Sequence, residues 1–411
     1  MHTPKMLQIL AATAFGLSFA SRTMAQATMY GVGDLSGGAT YSEVRDASSS
    51  GGVIYAVGNS SANTGSTGGD TAFVWTSTGS ITAIPNLATN STATNLVTAS
   101  AISSDGAYIA VRSRDVTSGN GREAAVVTTS GLGVASLGSP GGFTTPSYAL
   151  TVSSNGDVLY GVGMNGSGNF QTVRYQVSTS SATAIPLLNS GDVSSFPTAR
   201  AASADGNLLL GTSGNSSVFG SGNQAFLYNH TSSSVSSVAL LSGGTWNSGL
   251  ALNPAGTLAL VAGDSTAHAN GEVYLYNGST TTSLGSPNDS WSPLNLGGLT
   301  SDGSVVGIAF TDGSSNASYI HNANGWLSLD SIAAAGGADL TGWSSLNLNG
   351  LSSDGTLVWG SGLHDGNTEG FVMSFSSDYL SAVPEPSTYS ALAGAAGLVM
   401  AVACRRRVAR G

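Results

Sequence analysis

Ser103-Ser104-Asp105-Gly106 stands before the apolar run Ala107 to Val111, and the phrase returns as Ser153-Ser154-Asn155-Gly156 before Asp157 to Val162 and as Ser203-Ala204-Asp205-Gly206 before Asn207 to Leu210. Further copies are Asn253-Pro254-Ala255-Gly256, Thr300-Ser301-Asp302-Gly303 and Ser352-Ser353-Asp354-Gly355, with a degenerate first copy at Ser49-Ser50-Gly51-Gly52. The anchoring glycines at 52, 106, 156, 206, 256, 303 and 355 are 54, 50, 50, 50, 47 and 52 residues apart. A steady period of this length marks a repeat architecture. Each Asp-Gly or Asn-Gly is expected to supply the positive φ of a two-residue hairpin between two short strands.

A third strand with alternating large side chains follows in most copies, at Phe73 and Trp75, Val173 and Tyr175, Phe226 and Tyr228, Tyr274 and Tyr276, and Phe371, Met373 and Phe375. A fourth run comes after another small turn, as in Ile81 to Ile84, Val134 to Leu137 and Val235 to Leu240. Four antiparallel strands per repeat is the grammar of a propeller blade, so the spacing predicts an all-β, seven-bladed β-propeller over residues 28–380. The seventh copy has three strands and ends near Phe375. Residues 29 to 35 resemble the exits of other fourth strands and are expected to complete that last blade, closing the ring and removing its free edges.

Composition agrees. The chain has 411 residues, 57 of them Gly, with 8% charged residues and one Cys. Helical arrays need Ala, Glu, Lys, Leu and Arg in bulk, and nucleic-acid binders need basic patches; neither is present. From Thr28 to Val383 there are 21 acids against six arginines and no Lys, a body of charge −15, while the two ends are positive and bring the total to −10.

Those ends read as addresses. Lys5, an apolar run from Met6 to Ala20 and the small-x-small pattern Ala25-Gln26-Ala27 have the order of a secretory signal peptide over residues 1–27, with cleavage by signal peptidase expected after Ala27. Residues 381–411 contain Val383-Pro384-Glu385-Pro386, an apolar stretch at about 389–403, and the cluster Arg405, Arg406 and Arg407. The stretch is marginal for a transmembrane helix, and the arginines would hold the extreme terminus in the cytoplasm. This arrangement resembles the PEP-CTERM sorting signal of Gram-negative envelope proteins. The resemblance implies transient anchoring in the inner membrane, recognition by an exosortase-like transpeptidase, and delivery to the surface or an exopolysaccharide layer. Thr71-Ala72-Phe73-Val74-Trp75, and less fully Gln224-Ala225-Phe226-Leu227-Tyr228, resemble HAF-type extracellular repeats, which imply a propeller-like fold and no defined reaction.

Tyr41, Phe143, Phe196, Trp246, Trp291 and Trp343 all fall 10 to 13 residues before an anchoring glycine, in the connection between blades. Aromatic rings on a surface of low charge can stack on the apolar faces of sugars; the competing role is packing between blades. Acids between second and third strands read as solvated turn residues. Glu43 and Asp46 on the first inner strand form a carboxylate pair of the kind glycoside cleavage uses, and an ion pair at the closure seam is the alternative. His230 and His321 are expected on the face opposite His268 and His364, so neither a metal site nor a cofactor is expected. No nucleophile elbow or phosphate loop occurs. The expected function is a non-catalytic module that binds, or builds, an extracellular polysaccharide layer, and the alternative is a hydrolase or lyase at the central opening.

Overall fold

The structure is a computed structural model that describes residues 27–62, 71–87, 97–114, 122–137, 143–165, 170–188, 198–214 and 222–382. Among these residues the strands form seven four-stranded antiparallel sheets arranged as a propeller, with two short helices. The innermost strands are Ser42–Ser50, Thr98–Ile102, Phe143–Val152, Thr198–Ala202, Asn247–Leu252, Ser292–Leu299 and Trp343–Leu351, one for each of blades one to seven. Seven apolar clusters fill the wedges between neighbouring blades. One joins Val57, Val74 and Ile84 of blade one to Ile109, Val111 and Val127 of blade two, and another joins Val32, Val44 and Phe73 to Trp359 and Val372 across the closure. The alternating third-strand pairs are what fills these wedges: Phe73, Tyr175, Tyr274 and Phe371 are all fully buried.

The repeated turn differs from the two-residue hairpin expected of Asp-Gly. Gly106 alone has positive φ, at 73°, and four residues, 104 to 107, separate the closing pair. Gly106 N–H donates to the Ser103 carbonyl (2.9 Å), which takes that oxygen away from the strand ladder. The Ser103 hydroxyl replaces it by accepting from Tyr108 N–H (2.9 Å) while donating to the Asp105 carboxylate (2.5 Å), which itself accepts from Ala107 N–H. Hence the first position must be small and carry an acceptor, as short polar side chains do in local turns. Ser153, Ser203, Thr300 and Ser352 repeat the bond to the residue five places on, at 2.8 to 3.0 Å, and Asn253 makes it with its amide oxygen.

Closure is by the N-terminal strand Ala27–Gly31, antiparallel to Asn367–Phe375, with Ala27 opposite Phe375 and Gly31 opposite Phe371. It runs from 27 to 31 rather than 29 to 35, and it ends early because Gly33, at φ 76°, bends the chain away and its N–H goes to the Glu369 carboxylate (3.0 Å). Two elements absent from the sequence reading brace this seam. Helix Leu329–Ala335, capped by the Ser328 hydroxyl, follows blade six, and its exit at Gly336 accepts from Ala27 N–H (2.8 Å). Helix Tyr379–Ala382 places Tyr379 face to face with Phe375, at 5.6 Å, and its hydroxyl on the Ile332 carbonyl (3.0 Å). Among the described residues no helix is long and apolar enough to cross a membrane, and the apolar stretch at 389–403 lies outside them.

Removing residues 27–31 strips the last blade of its fourth strand. The thermal midpoint of the body is expected to fall by about 5 °C or more, as for loss of a few kcal/mol from a domain of this size; calorimetry of the truncated and intact bodies checks it.

Candidate binding site in the central channel

The innermost strands enclose a channel of about 750 Å³, within the range of ligand pockets. Every one of these strands is irregular at a similar height: the register shifts between Val44 and Asp46, Ala99 and Ala101, Ala149 and Thr151, Ala199 and Ala201, Gly249 and Ala251, Pro293 and Gly297, and Leu348 and Gly350. A bulge leaves one residue out of the ladder and re-aims its side chain. The single residues so released in six blades, Arg45, Ser100, Leu150, Arg200, Leu250 and Asn349, all line the channel, as does Leu296 of the longer irregularity in blade six. They share no chemistry, so composition does not reveal them; their position does, six or seven residues before each anchoring glycine. The neighbouring second strand must come close at the bulge. A side chain at Gly58 or Gly360 would place its Cβ 1.9 Å from the Glu43 or Asn347 carbonyl oxygen, so only glycine fits there.

Blade one supplies the densest polar group. Arg45 pairs with Glu43 at 2.6 Å, and Glu43 also accepts from the Asn59 amide (3.2 Å). Asp46 accepts from Ala47 N–H and, across the blade boundary, from Ile102 N–H, each at 2.9 Å. Trp359 of blade seven donates to the Arg45 carbonyl (3.1 Å) and Asn349 to the Val44 carbonyl (2.7 Å), so this strand is stapled on both sides. Burial raises the Asp46 carboxyl to about 7 against the pull of its two amide donors. Burial lowers the Arg200 guanidinium to about 10, and Arg112 lies 4.8 Å over the Tyr148 ring.

Of the aromatic residues singled out by position, Tyr41, Phe143, Trp246, Trp291 and Trp343 stand at or just before the start of an innermost strand, at the end of the ring where those strands begin. Trp246 is 8% exposed and belongs to the core between blades five and six, its loop pinned by Asp264, which accepts from Thr245 and Trp246 N–H. Trp291 is half-buried, edge-on to Tyr319 at 6.0 Å. Trp343 is half-buried and stacked on His364 at 4.5 Å with 3° between planes, and His364 is held by Glu369 at 2.7 Å. Tyr41 is half-buried, and burial together with the nearby Glu43 carboxylate pushes its phenol up to about 12. Phe143 begins the inner strand of blade three, and Phe196 lies outside the described residues, as do the tail residues Val383 to Pro386 and Arg405 to Arg407. Of the second-to-third-strand acids, Glu272 is buried between the Ser265 and Ser283 hydroxyls. No group of three metal-ligating side chains occurs among the described residues.

The folded protein holds the Asp46 proton more tightly than the unfolded chain does. This group therefore contributes stability at low pH that is lost as pH rises from about 4 to about 7. Asp46→Asn removes that slope. Thermal melts at about pH 5 and pH 8 should show the variant gaining on the wild type as pH rises; a constant difference would place the Asp46 titration elsewhere.

Residues 382–407 match the PEP-CTERM protein-sorting motif, which implies export to the surface of a Gram-negative cell. No curated protein matches the chain. Among solved structures it is similar to TolB from Acinetobacter baumannii, at 15% identity over 75% of this chain and 60% of that one, with a TM-score of 0.42. It is also similar to the β-propeller domain of the Trilobed protease from Pyrococcus furiosus, described as an open velcro, at 11% identity over 83% and 99% of the two chains with a TM-score of 0.51. Prolyl endopeptidases match at 12% identity over 82% of this chain and 51% of theirs, with a TM-score of 0.55. The chain thus spans three fifths of the length of TolB and half that of the endopeptidases, and at these identities the likeness is one of fold alone.

Proposed function

We propose that the protein is a non-catalytic β-propeller, displayed on or released from the cell surface, that binds or helps to build the extracellular polysaccharide layer. The sorting motif at residues 382–407 supports surface delivery, with signal peptidase acting at the N-terminal end and an exosortase-like transpeptidase at the C-terminal end. The phrase Thr71-Ala72-Phe73-Val74-Trp75, with its resemblance to HAF-type extracellular repeats, fits the same setting.

The observation that carries a binding rather than a hydrolytic role is the engagement of both blade-one carboxylates on the channel. Glu43 is bound to Arg45 and Asn59, and both Asp46 oxygens accept backbone N–H groups that tie blade one to blade two. An acid and a nucleophile for glycoside cleavage need oxygens directed at the substrate. Sugar stacking instead falls to the half-buried rim residues Tyr41, Trp291 and Trp343, with Trp343 set rigidly by the His364 ring beneath it. A preset aromatic face binds without the ordering cost of a mobile one.

Glycan-array binding by the intact body should weaken by about tenfold or more in Trp291→Ala or Trp343→Ala, the scale of one lost aromatic contact. No reducing ends should accumulate. Release of reducing ends that stops in Glu43→Gln or Asp46→Asn would instead make the protein a hydrolase or lyase acting in the channel.

A further inference from the structure

Three of the body's six arginines, Arg45, Arg112 and Arg200, line the channel of a body whose net charge is −15. The channel wall is also two-sided. Blades one, two and seven contribute the charged Glu43, Arg45, Asp46, Arg112 and Asp354 beside apolar groups such as Ile102 and Trp359. Blades three to six contribute chiefly Leu150, Val152, Leu250, Leu252, Leu296 and Leu299, and among the described residues they bring no carboxylate to the wall. Arg200, released by the bulge of blade four, is the one charged group on that apolar side. In a ring of seven, blade four stands three places from blade one and three from blade seven, so Arg200 faces the polar wall across the opening. A guanidinium on a wall lined chiefly by aliphatic side chains has five N–H donors and favours a planar carboxylate, which it can meet with two parallel hydrogen bonds in a medium where charge is weakly screened.

We propose that the channel binds an acidic sugar of the uronic class, its carboxylate on Arg200 and its apolar ring face on the half-buried Leu150. The cavity of about 750 Å³ takes a short oligomer rather than a single ring. This inference rests on the polysaccharide-binding reading and narrows its ligand.

Calorimetric titration of the intact body with galacturonate and glucuronate oligomers, beside their neutral galactose and glucose counterparts, tests it. Uronate oligomers should bind at least about tenfold more tightly than neutral ones and weaken with added salt. Arg200→Gln should abolish that preference, and Arg200→Lys should keep part of it; melting curves identify a variant that fails to fold, in which case the preference and salt dependence of the wild type decide. Equal affinity for acidic and neutral oligomers overturns the channel assignment. So does uronate binding that Trp343→Ala removes and Arg200→Gln leaves intact, although rim binding then stands. Binding of no glycan at all overturns both readings.

A separate observation concerns the N-terminal cut. Ala27 is 5% exposed, pairs with Phe375, and donates to the Gly336 carbonyl. Gly336 has an ordinary φ of −77°, so its backbone does not require glycine; space does, since a Cβ there would lie 2.6 Å from that of Ala27. The end of the helix is shaped around residue 27. We infer that leader removal spares Ala27, with water adding across the Ala25–Gln26 peptide bond, where Thr23-Met24-Ala25 also presents small residues at the two positions a signal peptidase reads. N-terminal sequencing and intact mass of the exported protein should give a chain starting at Gln26, free or cyclised with loss of ammonia. A chain starting at Thr28 overturns the inference.

Discussion

Everything in this fold depends on how its last sheet is finished. A propeller blade of three strands leaves a row of unpaired N–H and C=O groups at the rim of the ring, and in a repeat assembly each blade is stable only through its neighbours. Here the missing strand comes from the opposite end of the chain: Ala27–Gly31 pairs along Phe371–Phe375. The chain has a single Cys, at 404, so no disulfide within the body does this work. The seam is instead reinforced by polar contacts from chain segments far apart in sequence: Gly33 N–H and His364 on Glu369, Ser42 between Gly33 and Gly370, and the helix end at Gly336 on Ala27. The two short helices of the described residues sit where the ring is joined, packed between blade six and the last blade.

The turn motif and the bulge are two halves of one repeat logic. The turn fixes register: in six blades a Ser, Thr or Asn side chain substitutes for a carbonyl that the turn has taken and a glycine at positive φ permits the reversal, and in blade one Gly51 and Gly52, both at positive φ, join Ser50 to Val53 directly. With register fixed at the turn end of each innermost strand, the bulge six or seven residues earlier falls at a constant height in every blade. Its released residue carries little of the ladder's stability. That position is therefore open to any side chain, as Arg45, Leu150, Arg200 and Asn349 show.

This division explains what was legible in the sequence. Blade number, strand order, the buried third-strand pairs and closure by the N-terminus all rest on spacing and on alternation of large side chains, both visible in one chain. The details of the turn were not, since Asp-Gly serves a two-residue hairpin and a four-residue one equally well until the partner of the Ser103 hydroxyl is known. The helix Leu329–Ala335 had a readable start in Ser328 and an Ala run, but it occupies a position where other blades have a loop, and the repeat pattern masked it. The bulge ring escaped because its members are unlike in chemistry. Trp246 and Trp343 share a repeat position yet differ in surroundings: one lies in an inter-blade core, the other rests on an imidazole at the seam, a difference that depends on neighbours distant in sequence.

Charge follows the same division between scaffold and variable position. The acids of the turns are spent on local amides and hydroxyls, as with Asp105, Asp205, Asp302 and Asp354, and hydrogen bonding by Ser203 and Asn207 holds Asp205 below its ordinary range. They recur because the turn recurs, so these four acids belong to the scaffold and say little about a partner. The arginines do not recur in this way. Three of the six line the channel, and although Arg45 and Arg200 share the bulge position, the repeat does not require arginine there, since other blades carry Ser100, Leu150, Leu250 or Asn349.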